Sequence, residues 1–89
     1  MISIKQAAEI AHKYMLDLFG TADDIRDVRL EEVDSDPSHW LITLGFVDDV
    51  AARNIQRHLF TPPRAYKIFT VDKTTGEVTS MKIRNVQSV

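Results

Sequence analysis

The chain has 89 residues, 44% of them hydrophobic and 27% charged, with a formal net charge of −2 and no cysteine. That length fits a single domain over residues 1–89, with a small core and a stability of only several kcal/mol (about 5–10). The missing cysteines exclude a disulfide framework, thiolate chemistry and zinc sites of the cysteine type.

The first element reads as a helix from Ile4 to Phe19. Ile4, Ala8, Ala11, Met15 and Leu18 recur at helical spacing, and Ala7, Ile10 and Tyr14 widen the stripe. Ser3 and Gln6 form a capping-box pattern before it, and Gly20 stands where a left-handed residue would end it. Lys5, Glu9, Lys13 and Asp17 line the far side, with Glu9 and Lys13 spaced as a favourable pair.

Ile25 to Val33 reads as a strand, with Val28 and Leu30 on one side and Arg29 and Glu31 on the other. Val33 breaks the alternation, which predicts a bulge or the strand's end. Asp34-Ser35-Asp36-Pro37-Ser38 is a turn by composition. His39 to Val47 then reads as a central strand, with Trp40, Ile42, Leu44 and Phe46 on one face and an almost equally apolar second face.

Residues 48–64 form an insert, read as a short helix or an irregular loop and ended by Thr61-Pro62-Pro63. The chain closes on a hairpin in which Tyr66 to Val71 and Val78 to Ile83 flank the polar turn Asp72-Lys73-Thr74-Thr75-Gly76. The predicted fold is therefore α+β: an N-terminal helix packed on a four-stranded antiparallel meander, with an insert between strands 2 and 3.

Tyr66 to Val78 resembles the closing hairpin of PepSY-type domains, where a strand leads into an Asp-x-x-Thr-Gly-Glu-Val turn and a second strand. The matching residues are Val71, Asp72, Thr75, Gly76, Glu77 and Val78. The opening helix, with Ala7, Ala8 and Ala11, is similar to that family's start. Ile2, Ala7, Ala11 and Trp40 also resemble small bacterial immunity-type proteins. One helix in a curled antiparallel sheet is similar to the cystatin-like arrangement. PepSY domains are usually extracytoplasmic regulators of peptidases. This chain departs from them in showing no export or membrane segment and in carrying the insert. What the resemblance implies is a non-enzymatic, partner-binding protein, and the plain reading of the N-terminus and hydropathy is a cytoplasmic one.

Charge is divided along the chain. Residues 1–49 carry four basic and eleven acidic side chains, and residues 50–89 carry seven basic and two acidic ones. Either the halves neutralise each other within one sheet, or the dipole steers a charged partner or a second copy.

No catalytic, metal or cofactor-binding constellation emerges. His12, His39 and His58 have none of the usual ligand spacings. The carboxylates cluster in turns, where their environments are too alike to separate acid from base. The glycines are isolated, and no serine sits in a nucleophile elbow. Arg53, Arg57, His58, Phe60 and Arg64 in the insert combine basic and aromatic anchors beside a Pro-Pro turn, which suits a protein interface. Nucleic acid is disfavoured, because the acidic half repels phosphate. The expected partner is another protein or a second copy of the chain; a small molecule on the sheet face is a third reading.

Overall fold

The computed structural model describes residues 1–19, 25–48 and 64–83. Helix α1 spans Ile4–Phe19. Its capping box is formed in both directions: the Ser3 N–H donates to Gln6 Oε1 at 2.8 Å, and the Gln6 N–H donates to Ser3 Oγ at 3.1 Å. Two of the N–H groups that the helix start cannot satisfy internally are thereby paired. Gly20 lies outside the described residues.

Ala7, Ala11 and Met15, spaced at i, i+4 and i+8, are the fully buried residues of α1. This strip is narrower than the predicted stripe. Ile4 and Leu18 lie at its ends and remain about half exposed. On the outer face Lys13 reaches forward to Asp17 at 2.9 Å, rather than back to Glu9. Both partners are well exposed, so this pair contributes only a few tenths of a kcal/mol (about 0.3–0.5).

Four strands follow: β1 (Ile25–Ser35), β2 (His39–Asp48), β3 (Arg64–Asp72) and β4 (Val78–Ile83). They form one sheet in the order β1-β2-β3-β4, each antiparallel to the next. The predicted α+β meander is the observed one. Helix α1 lies against one face, chiefly over β2 and β3.

Strand β2 pairs with β3 in unbroken register, from His39 opposite Asp72 to Val47 opposite Arg64. Ile42, Leu44 and Phe46 therefore share the helix-facing side with Phe69 and Val71, and these five are buried with Ala7, Ala11, Met15 and Ile25. Burying each large side chain contributes roughly 1.5–3 kcal/mol.

Three irregularities adjust the outer strands. In β1 the register slips between Leu30 and Glu32, so Glu31 is an extra residue. The slip restores Val33 to the core side, opposite Ile42, and the strand runs on to Ser35. Of the two outcomes expected at Val33, the bulge is the one realised. A second slip falls between Arg26 and Arg29, where Asp27 adopts a left-handed φ of 53°. In β4 a slip beside Thr70 and Val71 leaves Thr79 over and places Val78 opposite Val71. Val78 thus joins Met81 against the core, a change of side that simple alternation did not predict.

The β3–β4 turn closes as its composition predicts. Asp72 Oδ1 accepts from the Thr74 and Thr75 N–H groups at 2.7 and 2.9 Å, and Gly76 takes a φ of 75°, which a residue with a Cβ adopts only under strain. The insert is shorter than its predicted bounds, because Asp48 ends β2 and Arg64 opens β3.

Candidate functional site

Of the five residues expected to form a protein-binding surface, Arg53, Arg57, His58 and Phe60 lie outside the described residues. Arg64 is described, and its place is a correction: it is the first residue of β3, not part of a loop. Its side chain is only 19% exposed. Arg64 Nη1 donates to Asp27 Oδ2 at 2.9 Å, Nη2 donates to the Asp27 carbonyl at 2.9 Å, and Nη2 lies 3.6 Å from Glu31 Oε1. Asp27 also accepts from Arg29 Nε at 3.1 Å. Hydrogen bonding and charge from Arg29, with the further charge of Arg64, hold the Asp27 carboxyl below its ordinary value. The guanidinium thus ties β1 to β3 across β2, and the left-handed turn at Asp27 aims both its carboxylate and its carbonyl at it.

Gly45 makes that crossing possible. A Cβ placed on Gly45 would lie 2.8 Å from Glu31 Cγ and 3.0 Å from Glu31 Cδ and Oε1. The bulged Glu31 therefore lies across the bare backbone of β2 on its way to Arg64. A lone glycine inside an apolar strand is the sequence signal for such a close approach. Gly45→Ala is expected to cost about 1 kcal/mol while Glu31 is present, by pushing that side chain off its path. In a Glu31→Ala background it is expected to be neutral or stabilising, since alanine loses less chain entropy than glycine, a difference of roughly 0.5–1 kcal/mol. Urea midpoints for the four chains of this double-mutant cycle give the coupling; additive effects would contradict the crossing.

The opposite end of the sheet gathers both hairpin turns and the N-terminus. Asp36 Oδ1 accepts from the Ser38 and His39 N–H groups at 2.8 and 2.7 Å and sits 3.2 Å from His39 Nδ1. Lys73 bridges the turns: its N–H donates to the Ser38 carbonyl at 2.9 Å and its ammonium to the Asp36 carbonyl at 2.6 Å. The same ammonium stands 4.5 Å from the centre of the Trp40 ring. Trp40 Nε1 donates to the Ile2 carbonyl at 3.2 Å, and the Ile2 N–H donates to the Lys73 carbonyl at 2.8 Å. Trp40 is thus a structural residue in its most direct contacts, as its strand neighbours suggested.

Three aspartate carboxyls, Asp27 in β1 and Asp36 and Asp72 at the hairpin turns, are held below their ordinary value. Asp36 is held below its ordinary value first by the Ser38 N–H, and Asp72 first by the Thr75 N–H and then by that of Thr74. Asp27 is held low by its arginines. Each prefers to be ionised in the fold, so the unfolded chain binds more protons in the acid range. Their stabilisation is complete above the ordinary aspartate value of about 4 and is lost as pH falls through the lower folded-state values. Urea midpoints are expected to draw nothing from these three groups between pH 7 and 5 and to drop below about pH 4. Asp72→Asn should shallow that acid drop, and an unchanged slope would argue against the assignment.

An apolar groove opens between α1 and β1. It is lined by Ala8 from the helix, by Val28 and Leu30 from β1 and by Leu44 from β2, with Lys5, Glu9 and His12 at its rim, and has a volume of about 320 Å³. Its origin is simple geometry. Four strands spaced ~4.8 Å apart make a face wider than the ~10 Å that one helix covers. Leu30 lies on the core side of β1 and is nevertheless 53% exposed. Alternation alone placed Leu30 on that side but could not show that the helix stops short of it.

His12 stands at this rim and His39 in the corner described above. Among the described residues no three histidine or carboxylate side chains are grouped to hold a metal ion, and no helix is long and apolar enough to cross a membrane. Comparison of the chain with protein-family models, with curated proteins and with solved structures finds no match.

Proposed function

We propose that this chain is a small non-enzymatic protein-binding module, related in kind to the PepSY-like domains its closing hairpin resembles and to the cystatin-like arrangement of one helix on an antiparallel sheet, and that it acts as an inhibitor or immunity-type protein in the cytoplasm. The observation that carries the reading is the half-exposed Leu30 on the core side of an outer strand, where it lines an apolar groove with Val28, Leu44 and Ala8 beside charged side chains of α1. Contiguous apolar surface bordered by polar residues is what protein partners use. The basic and aromatic residues Arg53, Arg57, His58 and Phe60 supply a second contact in this reading.

Capture from native-host lysate tests it. Wild-type protein is expected to retain a specific partner, and Leu30→Asp to lose it by at least about 30-fold in affinity, the size of a hot-spot loss near 2 kcal/mol. Because Leu30 is already about half exposed, the variant should keep the wild-type circular dichroism and lose only about 1–1.5 kcal/mol of unfolding free energy, far less than the whole fold. Equal capture by wild type and Leu30→Asp would sink the groove as the interface. An Arg53→Glu/Arg57→Glu variant separates the two contacts in the same experiment.

A homo-oligomer is the second reading, favoured by the outer positions of β1 and β4 in the sheet order and by the opposite charge of the chain's halves. Light scattering across a hundredfold concentration range decides it; a constant monomer mass removes it.

A further inference from the structure

We draw no further inference here: the strongest candidate, the sheet face turned away from α1 with Leu41, Tyr66 and Ile68 at its centre, carries none because nothing in the structure shows what covers it.

Discussion

Phe69→Ala is expected to lower the unfolding free energy by about 3–5 kcal/mol, most of what a domain of this size possesses. Phe69 has no exposed surface and lies in β3 on the side that meets α1, opposite Ile42 on one neighbour and Met81 on the other. Its ring meets Tyr14 edge to face, with centroids 6.1 Å apart and planes at 77°. Truncation forfeits the transfer free energy of the ring, leaves a void between layers that cannot easily close, and removes an aromatic pair worth about 0.5–1.5 kcal/mol. Tyr14→Ala removes the same pair from a position already 37% exposed, so its cost should be much smaller, about 1 kcal/mol. Urea unfolding followed by circular dichroism and by Trp40 fluorescence measures both. A loss below about 1 kcal/mol at Phe69 would mean that α1 is not seated over the centre of the sheet.

The elements most legible in the sequence were those whose signals were purely local. The capping box at Ser3 and Gln6, the Asp72 turn and the alternation of β2 each rest on residues a few positions apart, and each is realised. The bulge at Glu31 was half legible: the parity break at Val33 announced it, but a bulge and a strand end leave the same mark until the partner strand is seen. Arg64 was misplaced for a related reason. Two prolines just before it read as loop, while its role depends on Asp27 and Glu31, more than thirty residues earlier. The groove at Leu30 was not legible. Hydropathy says which side of a strand is apolar, not how far across the sheet a single helix reaches.

Ala11→Leu should destabilise the domain by about 2–3 kcal/mol, whereas Ala8→Leu should change its stability by less than about 0.5 kcal/mol or raise it. Both alanines belong to the apolar stripe read from the sequence, both are helical, and leucine is nearly as good a helix former as alanine. Only their surroundings differ. Ala11 is wholly buried midway between Ala7 and Met15, where a methyl group is all that separates the helix from the sheet. A leucine there must lift α1 from β2 and β3 or adopt a strained rotamer, and either loosens the contacts of Phe46 and Phe69. Ala8 is turned toward β1 and lines the open groove with Val28 and Leu30. A leucine at that position has room, and it covers apolar surface that α1 leaves bare, at about 25 cal/mol per Å² removed from water. Paired urea titrations give the two values side by side. Equal penalties would mean that the helix is rotated about its axis from the orientation described, and the groove would then lose one of its walls. If the order holds, Ala8→Leu also bears on function: a side chain that partly fills the groove should weaken partner capture while leaving the fold as stable as before, which no general loss of structure could imitate.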